Sequence, residues 1–161
     1  MLSSIAEDPE DIKAMFHTKE INNAGCYLVY FYINGIQKPV IVDDYLPCKG
    51  NRLVFASSRE HEVWVSILEK AWAKLHGNYS VTEGGFPCFA SIHLTGVPST
   101  SIRHKSLESV DGFWNTLLSA DKRSFTMIAA SQGQGEVKND SGVISGHAYS
   151  VISIHEFNHK G

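Results

Sequence analysis

The hydrophobic pattern along the 161-residue chain changes period several times. Over residues 7–16 the apolar side chains Ile12, Met15 and Phe16 share a helical face, Pro9 suits a first turn, and acidic residues crowd that end, which predicts a helix. Residues 26–33 are dense in aromatic and β-branched side chains, Asn34-Gly35 is a tight-hairpin signal, and Val40-Ile41-Val42 resumes the apolar run. Antiparallel strands are therefore expected at 26–33 and 39–43. After turns at Pro47 and Lys49-Gly50-Asn51, Leu53-Val54-Phe55 is expected to add a short third strand to the same small sheet.

The period then becomes helical. Over residues 63–76, Val63, Trp64, Ile67, Leu68, Ala71, Trp72 and Leu75 form a broad apolar face, with Trp64, Leu68, Ala71 and Leu75 expected to be buried. Glu69, Lys70 and Lys74 occupy the remainder, Gly77 stands where a left-handed cap belongs, and Ser57-Ser58-Arg59-Glu60 supplies polar start signals. A second helix is expected over 89–94, ended by Thr95-Gly96-Val97-Pro98. The polar stretch 99–105 is the candidate boundary between two lobes, 1–96 and 97–161. Beyond it come a helix over 110–120 with Phe113, Trp114, Leu117 and Leu118 inward, a strand over 125–130, a mobile Gly/Asn/Asp/Ser-rich loop over 131–145, and a strand over 148–154. Helices and strands segregated in this order predict an α+β fold.

Composition narrows the function classes. Hydrophobic residues make up 43% and charged residues 19%, which excludes global disorder. A net charge of −3 gives no electrostatic case for nucleic acid or anionic lipid as a partner. No run of apolar residues is long enough for a membrane span, and Glu7-Asp8 close to the amino terminus does not read as a signal peptide. Cys26, Cys48 and Cys88 form no CxxC pair, which points to free thiols and an intracellular, cytoplasmic setting.

Among the eight histidines, His147 stands out. It follows Ile144-Ser145-Gly146 and leads into a strand, a mounting that suits a general base, although on position alone a histidine that merely starts a strand is the commoner case. The loop Ser131-Gln132-Gly133-Gln134-Gly135 lacks any phosphate-binding signature. His155 and His159 lie four apart without an HExxH frame or a nearby cysteine, which is a poor zinc site. Cys88, ahead of a short helix, is the one cysteine with a physical argument for a lowered thiol pKa. Asn78-Tyr79-Ser80 and Asn139-Asp140-Ser141 match the glycosylation pattern, which means little in a chain read as intracellular.

Several blocks together resemble the protease core of calpains. Residues 63–77 resemble that family's FWxxLLEKAYAKxxG helix, Gly146-His147-Ala148-Tyr149-Ser150-Val151 matches its GHAYSV block unchanged, and residues 40–47 resemble its VxVDDxLP segment. Thr82-Glu83-Gly84-Gly85 and Leu94-Thr95-Gly96 also correspond, in family order and along nearly the whole chain. The resemblance implies a papain-like, two-lobed, calcium-dependent cysteine endopeptidase acting on protein or peptide substrates. It places the catalytic histidine at His147 and assigns Gly85 and Gly146 to backbone contact with an extended peptide, on opposite walls of a cleft between the lobes. Glu62 falls on a position that helps bind calcium, for which a carboxylate oxygen is the right donor.

The departures from the family pattern are equally specific. The family's nucleophile motif, close to QGxxGDCW, would lie just upstream of Met1, and the chain is short by a few residues before Glu7. Its RNPWG block, which carries an asparagine that orients the histidine, would lie beyond Gly161, as would most calcium ligands beyond one end or the other. The expectation is an incomplete protease core that lacks two of three catalytic groups and does not hydrolyse peptides, its flanking protease segments or regulatory domains being its missing partners. A non-catalytic calpain-like module that binds peptides or proteins is the alternative, and a histidine-based metal protein a weaker one.

Overall fold

A computed structural model describes residues 2–58, 62–133, 135 and 137–157. Met1, beside which the nucleophile is expected, Arg59 and Glu60 of the polar start signal, Gln134 of the glycine-rich loop and His159 lie outside the described residues. The fold is α+β. The chain forms two compact units, Glu10–Ser99, and Met1–Pro9 together with Thr100–Gly161.

The Glu10–Ser99 unit is built on the expected hairpin. Strands β1 (Cys26–Ile33) and β2 (Ile36–Asp43) pair antiparallel from Cys26↔Asp43 to Ile33↔Ile36. Asn34 and Gly35 both take left-handed φ, 53° and 74°, as a two-residue turn matched to strand twist requires. Tyr27, Val29 and Phe31 of β1 and Val40 and Val42 of β2 are buried on one face, the period-2 consequence of pleating. Phe16 bridges to Val29 on the other edge of β1, where the His17 N–H reaches the Leu28 carbonyl at 2.9 Å. On the outer edge of β2, Lys74 Nζ takes the Ile41 carbonyl at 2.7 Å. Alternation puts Pro39 on that same outward register, where its missing N–H costs no ladder bond.

Helix α3 (Trp64–His76) covers the buried face with Ile67, Leu68 and Ala71, and Phe31 meets Trp72 edge-on at 5.8 Å. It ends at Gly77, φ 118°. Trp64 and Leu75, expected to be buried, are half-buried; Ala73 and Ser66 are buried as well. The indole N–H of Trp64 donates to Glu62 Oε2 at 3.0 Å, which keeps that ring at the solvent-facing first turn. The helix expected over 7–16 forms as α2 (Pro9–Met15), whose first residue is the proline, and a single turn outside that expectation, α1 (Leu2–Ile5), precedes it in the chain. Helix α4 (Pro87–Thr95) begins two residues ahead of the expected 89 because Pro87 sets the first turn, and closes on Gly96 at φ 73°.

Leu53-Val54-Phe55 does not join the hairpin as a third strand. Strands β3 (Cys48–Lys49) and β4 (Arg52–Leu53) pair with each other as a separate ribbon. The reason lies in α3. Glu69 Oε2 accepts the Ala56 N–H and Ser66 Oγ donates to the Ala56 carbonyl, each at 2.8 Å, drawing the chain onto the helix, while Phe55 stacks on Tyr79 at 4.1 Å.

In the other unit, helix α5 (Val110–Lys122) is capped by Ser109 Oγ, which accepts the Gly112 N–H at 3.1 Å. Its expected inward residues Phe113, Trp114, Leu117 and Leu118 share a face but are half-buried. Strands β5 (Met127–Ala130) and β6 (Ala148–Val151) pair antiparallel from Met127↔Val151 to Ala130↔Ala148, and α1 lies against β6. Both strands are shorter than expected. Phe125 closes α5 instead: its N–H reaches the Ala120 carbonyl and the Ser124 N–H that of Asp121, with Ser124 at φ 54°. That is a Schellman stop without glycine. Residues 131–145, expected as a mobile loop, carry a small hairpin of their own, with a Lys138↔Ile144 bridge and Asn139 N–H to Val143 carbonyl at 2.9 Å. Among the described residues no helix is long and apolar enough to cross a membrane.

Candidate active site around His147

His147 sits where the β5–β6 ribbon opens into its connecting loop. Gly146 before it has φ 64°, so the turn into β6 needs a residue tolerant of the left-handed region. Space makes the same demand: a Cβ on Gly146 would lie 3.1 Å from the Gly133 carbonyl oxygen and 3.4 Å from that of Gly135. Gly133 and Gly135 thus turn carbonyl oxygens toward Gly146, which is the wrong polarity for a phosphate cradle there.

The backbone of His147 is held by one residue at the end of β5. The Ser131 N–H donates to the His147 carbonyl at 2.9 Å, extending the ladder one step, and the His147 N–H donates to Ser131 Oγ at 3.1 Å. The hydroxyl hydrogen of Ser131 is shared between the carbonyls of Ile144, at 2.5 Å, and His147, at 3.1 Å. Two residues on, the Tyr149 ring meets the His147 imidazole edge-on, with centroids 5.0 Å apart and planes at 73°. Strand alternation puts both on one side. His147 is half-buried and retains solvent access.

Gly85 lies in the Glu10–Ser99 unit, between the 3-10 turn Tyr79–Thr82 and α4, exposed and with open space around its Cα. Such a backbone can be approached closely by another chain. Glu62 is exposed, and its Oε2 takes the Trp64 indole N–H and, at 3.3 Å, the Ser58 hydroxyl. Among the described residues no three His, Cys, Asp or Glu side chains gather to hold a metal. Glu62 is thus a single carboxylate already accepting from one N–H and one O–H group, and a hard cation needs six or more oxygens. The described residues by themselves do not fit calcium.

The three thiols are free. Cys26 opens β1, Cys48 donates Sγ–H to the Leu46 carbonyl at 3.4 Å, and Cys88 is the second residue of α4. His155 is exposed and pairs with Ser153 Oγ at 2.9 Å. Ser131 carried no signal in the sequence, since a serine ending a strand is common; Tyr149 could be found from its spacing of two from His147.

A sequence model described as calpain family cysteine protease matches residues 1–161. The chain belongs to the calpain family of cysteine proteases. Calpain relatives from plants and animals agree. It is 39% identical over 153 residues to "Calpain-type cysteine protease DEK1" of Arabidopsis thaliana, covering 90% of this chain and 7% of the relative. It is 35% identical over 135 residues to "Calpain-12" of Mus musculus, covering 83% of this chain and 18% of the relative. It is 34% identical over 143 residues to "Calpain-9" of Homo sapiens, covering 86% and 20%. The chain therefore spans a fifth or less of the length of these calpains.

Proposed function

We propose that this chain is the histidine-bearing part of a papain-like, two-lobed calpain endopeptidase core, cleaving peptide bonds in protein substrates when its other catalytic groups are supplied. In this reading residues 1–96 and 97–161 divide between the two lobes. The observation that carries the proposal is His147: an accessible imidazole on a rigid strand start, inside an intact GHAYSV block, in a chain of this family. In the chemistry proposed, a cysteine thiolate attacks the substrate carbonyl carbon, and His147, as imidazolium, stabilises the thiolate and then gives its proton to the departing amine. Gly146 and Gly85 would pair through their backbones with an extended substrate, which explains breadth of sequence tolerance. Glu62 would contribute one oxygen to a calcium site, which needs further oxygen ligands.

Cys26, Cys48 and Cys88 lie in strand and helix positions outside any nucleophile motif, so the chain alone forms no acyl-enzyme in this reading. Two measurements test it. Turnover of a generic peptide by the chain with excess Ca²⁺ should be absent; activity that Cys88→Ala abolishes would show Cys88 to be the nucleophile. Titration of an extended peptide into isotopically labelled chain should shift the Gly146, His147 and Gly85 amide signals. Shifts confined to other residues would overturn the assigned binding strip.

A further inference from the structure

We propose that Ser131 and Tyr149 are positioning residues for the His147 imidazole, working together through the peptide groups of Ile144. The inference rests on the reading of His147 as the functional histidine. Ile144 is the point at which the two side chains meet: its carbonyl accepts from Ser131 Oγ at 2.5 Å and its N–H donates to Tyr149 Oη at 2.8 Å. Each of those side chains then reaches His147 by a second route. Ser131 holds both backbone polar groups of His147, and Tyr149 lays its ring edge against the imidazole at 5.0 Å. The turn 144–147 is therefore closed on itself, and Ser131, Ile144 and Tyr149 are all half-buried.

Closure of this kind has a function at this place. Gly146 has no side chain to restrain its backbone, and the Ser131–His147 step is the last rung before the ribbon opens. Without a tie beyond that rung, the imidazole would follow every fluctuation of the loop. A hydroxyl that accepts from one peptide while donating to another fixes the separation of the two chain segments. A phenol anchored at its oxygen fixes the plane of its own ring. A proton-transfer group is useful only within a few tenths of an ångström of its working geometry, so supports of this kind decide its efficiency.

The test is the pH titration of the His147 ring Cε1–H signal by NMR in the full chain, with His104 and His155 of the same unit as internal controls. Ser131→Ala should move the His147 signal toward its unstructured position and change its titration profile, and Ser131→Thr, which keeps the hydroxyl, should restore both. Tyr149→Leu should abolish the ring-current displacement of His147. Tyr149→Phe, which keeps the ring but not its anchor, should give a smaller displacement than the native tyrosine. A His147 signal unchanged in Ser131→Ala and Tyr149→Phe, in protein that melts as the native chain does, would overturn the proposal. So would equal movement of the His104 and His155 signals, which would mark a general loosening rather than positioning. If the variants behave as expected but His147 ignores an added extended peptide, the protease reading fails while the positioning arrangement stands.

Discussion

The two units are held together by different physics. Among the described residues, all but one of the buried apolar side chains lie in Glu10–Ser99: Phe31, Val29, Ile67, Leu68 and Ala71 are at most 2% exposed, and the helices and hairpin close around them. In the unit that carries His147, Ile5 is the one buried apolar residue among those described, and the faces of α5, β5 and β6 are half-covered or less. Order around His147 comes instead from directed polar contacts: Ser131 to Ile144 and His147, Asn139 Oδ1 to the Val143 N–H, and Ile144 to Tyr149. Burial is non-directional and tolerates substitution of like volume. A hydrogen-bonded turn depends on single atoms. The contrast separates a scaffold, where volume matters, from the proposed site, where hydroxyls matter.

The sharpest way to break this comparison is to remove equal amounts of apolar volume from each side. Leu68→Ala, in α3, should destabilise the Glu10–Ser99 unit by about 2–5 kcal/mol, the usual cost of truncating a fully buried leucine. Leu117→Ala, on the half-buried face of α5, should cost about 1 kcal/mol, since only part of the side chain leaves an apolar contact. Urea unfolding, followed at Trp72 for one unit and Trp114 for the other, measures both. Equal costs would mean that α5 is packed as tightly as α3.

A smaller effect tests backbone rather than volume. Gly96 ends α4 at φ 73°, and a Cβ there would come within 2.7 Å of the Tyr32 ring of β1. Gly96→Ala should cost about 1–3 kcal/mol from the strained conformation, with displacement of Tyr32 added. Gly85→Ala should be close to neutral for stability, because nothing lies within 4 Å of its Cβ position. Stability lost equally at both positions would remove the ground for separating a structural glycine from one left open.

In the second unit the corresponding test is a cap. Ser109→Ala removes the acceptor for the Gly112 N–H and should destabilise α5 by about 1 kcal/mol. Hydrogen exchange at the first turn of α5 should quicken while β1 and β2 are unaffected.

What the sequence made legible follows the same division. The β1–β2 hairpin and α3 were readable because period and punctuation agreed: clean alternation around Asn34-Gly35, and a helical stripe ended by Gly77. The fate of Leu53-Val54-Phe55 was not, because Ser66 and Glu69, ten and thirteen residues after Ala56, capture it. The end of α5 was misread because a serine, not a glycine, takes the left-handed position. At the proposed site, the GHAYSV block drew attention to His147, and Tyr149 follows it at the strand spacing of two. The contact of Ser131 with His147 spans sixteen residues, which no local pattern encodes.

The smallest expected effect is one of pH, and it belongs to the buried unit. His76, the last residue of α3, stacks on His93 of α4 at 5.4 Å with planes at 13°, and both rings lie against Trp72. His93 Nδ1 is buried with no hydrogen-bond partner. Burial, and then the neighbouring His93, hold the His76 pKa below its ordinary 6.5, outweighing the helix C-terminus, which favours a cation. Of the other charged groups on α3, Lys70 and Lys74 are turned to Asp43 and the Ile41 carbonyl, and Glu69 to Ala56. Tyr79, after α3, has its pKa raised by burial and stays neutral in this range. The sign follows from linkage. Between the lowered folded pKa and 6.5 the unfolded chain binds the extra proton, so the His76 contribution is complete above 6.5 and is lost as pH falls through that window. Asp43, held below 3.8 by its hydrogen bond from Lys70, acts only in more acid solution and does not confuse the measurement. The urea midpoint of the Glu10–Ser99 unit should therefore drop between pH 7.5 and 5.5, and His76→Gln should flatten that drop. His93→Gln should flatten it in part, because it removes the like-charged neighbour but leaves much of the burial. An unchanged slope in His76→Gln would place the proton uptake elsewhere and leave the stacked pair as packing alone.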